Sequence, residues 1–294
     1  MPFTLAHPAA ALPLRRQLGR LGCASALAIG AMAPDLPHFL PLGVSAAASH
    51  SLPGLCWFCA PAGFLAWLGY EHLALPLLVA LAPRTLQHRL TVAPHPEMSS
   101  ARLLAAGVSV LVGAFTHIAW DSFTHGSGLV VRAFPALRQP AVRIEGYPLP
   151  IFALLQHGST VLGLAVLVWL ARRWYRQARP LPSATWKPVA PAVRTVTLAA
   201  LALPTAIAGS LVLWSYLSRS PASFTVVQRA IVRSVMSAGG VFLVSLAAAA
   251  LAWRLWRLPR VEEAGGQRTD GMHTPQGKAP LRRPALGPSA DRFA

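Results

Sequence analysis

Acidic side chains are scarce in this sequence. Among 294 residues there are nine Asp and Glu, and only five of them (Asp35, Glu71, Glu97, Asp121 and Glu145) precede residue 259. Charged residues of both signs make up 12%, about half of what a soluble globular domain carries. That shortage excludes a soluble enzyme and a disordered chain, both of which need charge to stay solvated. No internal repeat is present, which excludes a fibrous or solenoid protein. Three cysteines are too few for a disulfide scaffold. Cys56 and Cys59 form a CWFC inside an apolar run without βαβ surroundings, so packing rather than redox chemistry is expected of them. Cys23 has no apolar segment ahead of it and Arg15-Arg16 makes a poor twin-arginine signal, so no cleavable signal peptide is expected.

Apolar residues fill the space that charge leaves. They make up 54% of the chain, with a mean hydropathy of +0.48. Charged residues bracket long runs without Asp, Glu, Lys or Arg: 18 residues between Arg102 and Asp121, 26 between Glu145 and Arg172, 24 between Arg194 and Arg219, and 20 between Arg233 and Arg254. A helix needs about 20 apolar residues to cross a bilayer core. Spans are therefore expected at 103–120, 149–170, 196–217 and 234–253, with a further one at 53–70. The 12-residue run 72–83 either extends that helix or forms a half-helix, which makes five spans, or six. The 14-residue run 21–34 is too short to cross and reads as a re-entrant or interfacial helix. The expected fold is all-α and polytopic, with a membrane-embedded domain over 1–258. A polar connector over 121–150 and a disordered Pro/Gly-rich basic tail over 259–294 complete it. Pro204, inside a span, should kink it.

The 26 Lys and Arg give a net charge of +17. They lie between apolar runs rather than in one block, which argues against nucleic acid and for anionic lipid and cytoplasmic anchoring. Loops 84–102, 171–194 and 254–260 hold twelve of them; segments 1–52, 121–150 and 218–230 hold eight. The first set, with the C-terminal tail, is expected on the cytoplasmic side.

Ionisable residues at membrane depth are costly and mark a site by default. Here they cluster in THIAWDSFTH, where His117, Asp121 and His125 recur at i, i+4 and i+8 and share one helical stripe. Two imidazoles and a carboxylate on one face suit Zn²⁺, Mn²⁺ or Fe²⁺; the alternative is a polar helix end whose groups are met by solvent or backbone. Asp35 in APDLPH, His50 in SHS, His7 near the start and His157 in LQHGST are the other candidates. If 53–83 crosses once, all of them fall at one end of the spans, whereas His72, His88 and His95 fall toward the other.

MPFTLAHPAA, GAMAPDLPHF, SHSLPGL, GAFTHIAWDSFTH and LQHGST together resemble domain-of-unknown-function family 4184, uncharacterised bacterial integral membrane proteins, over roughly 1–260. The His/Asp pattern is similar to membrane-bound metal-dependent hydrolases of the YdjM type and, more distantly, to zinc-dependent phospholipase C. The resemblance implies a bacterial inner-membrane protein with a metal site at His7, Asp35, His50, His117 and Asp121, a pattern that His125 and His157 extend. The expected activity is hydrolysis of a lipid-like ester or phosphoester by a metal-activated water, with Asp35 or Asp121 as ligand or base. Seven candidate ligands exceed one tetrahedral site, so either two metals bind or some residues orient the others. A transporter and a scaffold with a structural metal are the alternatives. Oligomeric state is not legible.

Sidedness can be tested directly. In a cysteine-free background, His50→Cys, Ser127→Cys and Gly146→Cys should react with an impermeant thiol reagent in intact cells, and Gln177→Cys should not. Labelling of Gln177→Cys alone would reverse the orientation.

Overall fold

The computed structural model describes residues 3–90, 98–144, 146–181, 189–219 and 223–257. The expected tail over 259–294 and His95 lie outside the described residues. Six helices organise the chain: α1 (Ala24–Gly30), α2 (Leu52–Leu81), α3 (Ser100–Thr124), α4 (Ile151–Gln177), α5 (Pro191–Leu217) and α6 (Phe224–Arg257). Among the described residues, five segments are long and apolar enough to cross a membrane: α2, α4, α5, α6 and a stretch Ser100–Ala133 that contains α3.

Runs 53–70 and 72–83 belong to one helix, so there are five spans and not six. The helix widens into π-turns at Leu55–Cys59 and Tyr70–Ala74. Pro61 and Pro76 follow these turns closely. A proline inside a helix lacks an N–H and crowds the carbonyl four residues back; a wider turn relieves both problems. α5 continues through Pro204. The connector 121–150 is not featureless: it carries a helical turn at Leu129–Ala133 and an antiparallel hairpin of β1 (Pro140–Ile144) and β2 (Tyr147–Pro150).

Residues 8–35 form a hairpin of short helical pieces, of which α1 is the longest. His7 and Asp35, at its two ends, both lie beside Asp121 or His117 near the C-terminal end of α3. Its apex lies on the N-terminal half of α3: the Ser109 hydroxyl donates to Leu21 O at 2.9 Å and accepts from Cys23 N–H at 2.8 Å. Beyond it, Ser25 donates to Glu71 at 2.7 Å, and Arg102 in the first turn of α3 holds the other Glu71 oxygen at 2.9 Å. Trp67 Nε1 donates to Ser25 at 3.1 Å. A buried carboxylate with two partners of this kind is stable at membrane depth; an unpaired one would not be.

α1 lies almost backbone to backbone on α3. A Cβ on Gly30 would collide with Val110, and one on Gly113 would collide with Leu27 O and Ala31 N. Ala26, Ala31, Ala106 and Ala114 around this contact are fully buried. Small residues at a helix crossing let van der Waals contact replace the missing hydrophobic drive in lipid. The short helix Leu36–Phe39 is held on α6, where Gly239 and Gly240 accommodate Phe39.

Gly113→Val should separate α1 from α3 and lower stability by about 1–3 kcal/mol, as overpacking does. Gly107→Ala, on the same helix with open space around it, should be neutral or slightly stabilising. Thermal unfolding in detergent checks both; equal melting temperatures for the two variants would contradict this packing.

Candidate metal centre

Four chain segments converge at the C-terminal end of α3. Asp35 closes the 3-10 turn Ala33–Asp35 that follows α1 and is fully buried. Its Oδ2 accepts a 2.6 Å hydrogen bond from the Thr4 hydroxyl, which leaves Oδ1 facing inward. His50 follows the helical turn Ala46–Ser49 and leads into α2. His117 and Asp121 sit one turn apart on α3, where the predicted stripe faces the core. His125 is the first residue beyond that helix, and its ring leans back so that Nδ1 lies 3.4 Å from Asp121 Oδ1. His7 follows the turn Thr4–Ala6 and stacks on the His117 ring, centroids 3.7 Å apart.

The rings are oriented by backbone carbonyls. His117 Nδ1 lies 2.7 Å from Ala31 O, and His50 Nδ1 lies 2.9 Å from Ala46 O. Each of these nitrogens must carry a hydrogen, so in the neutral imidazoles both Nε2 atoms present lone pairs. The two Nε2 atoms face each other at 3.3 Å. Two lone pairs at that distance would repel, so either one ring is protonated and donates to the other or a cation lies between them. A carbonyl on the outer nitrogen is the usual way to fix a metal-binding histidine.

The carboxylates complete the set. His50 Nε2 lies 3.3 Å from Asp35 Oδ1 and 3.5 Å from Asp121 Oδ2. His117 Nε2 lies 3.3 Å from Asp121 Oδ2 and 3.7 Å from Asp35 Oδ1. A divalent ion with bonds of ~2.0–2.2 Å to N and O holds neighbouring ligand atoms about 3.0–3.5 Å apart, so these spacings fit a shared ion. They fit direct hydrogen bonds poorly: Asp35 Oδ1, Asp121 Oδ1 and His7 Nε2 are buried without a hydrogen-bond partner. An orphaned buried polar atom costs about 1–3 kcal/mol unless a cation satisfies it.

The charge states of the groups outside the spans suit ligation. Burial and the neighbouring His117 push the His7 pKa down to about 3, so its ring is neutral at pH 7. Burial alone would raise the Asp35 carboxyl; His50, His117 and the Thr4 hydroxyl outweigh it and hold the group below the usual carboxylate range. A metal binds neutral imidazole and ionised carboxylate.

Six of the seven expected residues gather here. His157 does not: it is exposed on α4 and belongs to neither ligand-spaced group, His7/His117/Asp121 or Asp35/His50/His117. His38 joins instead, its Nε2 3.9 Å from Asp35 Oδ1 and its ring 6.1 Å from His50. Its i+3 spacing from Asp35 on the next helical turn was the signal that could have flagged it, and nothing in the sequence marks Thr4. His72 and His88 lie toward the opposite end: the His72 carbonyl accepts from Arg254, and His88 meets Leu181 O. Cys59 is buried and donates to Ser49 O, whereas Cys56 is exposed; both thiols are free.

A family model described as "Domain of unknown function (DUF4184)" matches residues 1–251. The chain belongs to this family. No curated protein and no solved structure matches it. The DUF4184 region contains every residue of the cluster, His38 and Thr4 included.

Protein loaded with Zn²⁺ and desalted should retain the ion, and His117→Ala combined with Asp121→Ala should reduce it to background. Thr4→Val, which frees Asp35 to rotate, should weaken affinity about 10–100-fold. Equal metal content in wild type and the double variant would remove the assignment.

Proposed function

We propose that this chain is a membrane-embedded, metal-dependent hydrolase that cleaves a lipid-like ester or phosphoester with a metal-activated water. The observation that carries the reading is the convergence of Asp35, His50, His117 and Asp121 at ligand-like spacings, with Asp35 Oδ1 buried and without a hydrogen-bond partner among the described residues. The all-N/O donor set suits Zn²⁺ first, with Mn²⁺ or Fe²⁺ as alternatives. Such an ion, when bound, supplies a water of lowered pKa and a positive charge opposite a developing oxyanion.

The chain's own groups supply the rest. Ala31 O and Ala46 O aim the two imidazoles, and Thr4 aims Asp35. Both carboxylates have the position of ligands. His38 lies next outward from Asp35 and can take the proton that a water gives up, at Nε2. The side chains of His38, His50 and His125 are 21–24% exposed, so the site opens on their side. Membrane lipids are the partners this reading requires; nucleic acid is not one.

Orientation follows from charge. Arg15, Arg16 and Arg20 belong to the apex of the hairpin, away from the His/Asp end. Long basic side chains there reach toward the nearer membrane face. Counting these three with the opposite end turns twelve against eight into fifteen against five. The site is therefore assigned to the extracytoplasmic side of a bacterial plasma membrane.

One observation favours a second reading. The ligands come from four separate segments, so a bound ion also ties them together and could serve structure alone. Transport fits less well, because the polar residues gather at one end and Glu71 near the other is closed by Ser25 and Arg102.

Metal-loaded protein incubated with a bacterial lipid extract should generate a hydrolysis product detectable by mass spectrometry. Asp121→Ala should abolish it while the protein still elutes as a folded species, and His72→Ala should leave it nearly unchanged. No Asp121-dependent product across a broad extract would favour the structural ion.

A further inference from the structure

We infer that a second divalent cation binds beside the first, with Asp121 as the shared carboxylate and His7 and His125 as its other protein ligands. The inference rests on the metal centre proposed above and deepens it. That centre uses Asp35 Oδ1, Asp121 Oδ2, His50 Nε2 and His117 Nε2. Two of the orphaned buried atoms are left over: Asp121 Oδ1 and His7 Nε2. They lie 3.7 Å apart, too far for a hydrogen bond and close enough to share an ion. His125 Nδ1 lies 3.4 Å from the same Oδ1, again without forming a hydrogen bond to it.

His117 is ligand-spaced with His7 and Asp121 as well, but its two nitrogens are already committed. Its Nδ1 is engaged by Ala31 O and its Nε2 already faces the first centre. The parallel stacking of His7 on His117 sets the two rings side by side, one for each ion. The two oxygens of Asp121 then point to different centres, which is how one carboxylate bridges a pair of ions. Three protein ligands leave coordination positions for water or substrate, and the partly exposed His125 marks the open side. A paired centre clamps both the attacking and the leaving oxygen of an in-line displacement, which suits a phosphoester substrate.

The test uses full-length protein in detergent, stripped with chelator, reloaded with Mn²⁺ and desalted. Wild type should hold two Mn²⁺ per chain by elemental analysis and give the electron paramagnetic resonance signal of a coupled pair. His7→Gln and His125→Gln should each hold one Mn²⁺ and give the signal of an isolated ion. Because His7 is buried and its variant could fail to fold, His125→Gln, at the partly exposed helix end, decides the matter alone, with gel filtration as the folding check. One Mn²⁺ in wild type, unchanged in His125→Gln, would overturn the second site and leave the first standing. Two Mn²⁺ in His125→Gln would also overturn it, since the second ion would then lie elsewhere. No retained Mn²⁺ in folded wild type would overturn both this inference and the hydrolase reading.

Discussion

Two buried carboxylates govern this structure. Moving an ionised carboxylate out of water costs several kcal/mol even after the protein relaxes, and Asp35 and Asp121 are brought together rather than kept apart. A divalent cation would meet the inward oxygens of Asp35 and Asp121 and the two facing Nε2 atoms together, and would leave Asp121 Oδ1 and His7 Nε2 for a second ion.

The rest of the fold can be read as support for that meeting. α3 carries His117 and Asp121 one turn apart, and the glycines at 30 and 113 let α1 approach closely enough for Ala31 O to reach the His117 ring. The far end of the hairpin is pinned by Ser109 and by the Ser25–Glu71–Arg102 network, so both its ends are delivered to the same place. Phe39 against Gly239 and Gly240 fixes the following turn to α6. By contrast, the spanning windows of α4, α5 and α6 are only 6–11% buried, against 39% for those of α2 and α3. The His/Asp cluster is built by the N-terminal half, and the later helices leave most of their surface exposed.

Much of this was legible in the sequence, for identifiable reasons. The spans are written in the spacing of charged residues, because lipid tolerates so few of them. The shared face of His117 and Asp121 follows from helical periodicity, although His125 lies beyond the helix end, and the short helical segment, read as re-entrant or interfacial, follows from a run too short to cross. What could not be read is whatever depends on which face of a helix turns inward. His157 lies at the right end of its span but on an exposed face, and α4 is apolar all round, so no pattern distinguished its faces. His38 was hidden because its role depends on how the turn after Asp35 folds back. The hairpin apex, which carries Arg15, Arg16 and Arg20 away from the site, needs contacts with α3 that no local pattern announces.

The central claim is that buried imidazoles and carboxylates, with no sulfur, hold a divalent ion at the end of α3. X-ray absorption at the zinc edge of Zn²⁺-loaded protein tests it most directly. The account predicts a first shell of N and O only, at ~2.0–2.1 Å, with outer-shell imidazole scattering that diminishes in His50→Ala. A sulfur shell at ~2.3 Å, or a hydrated ion whose spectrum is the same in wild type and His50→Ala, would contradict it.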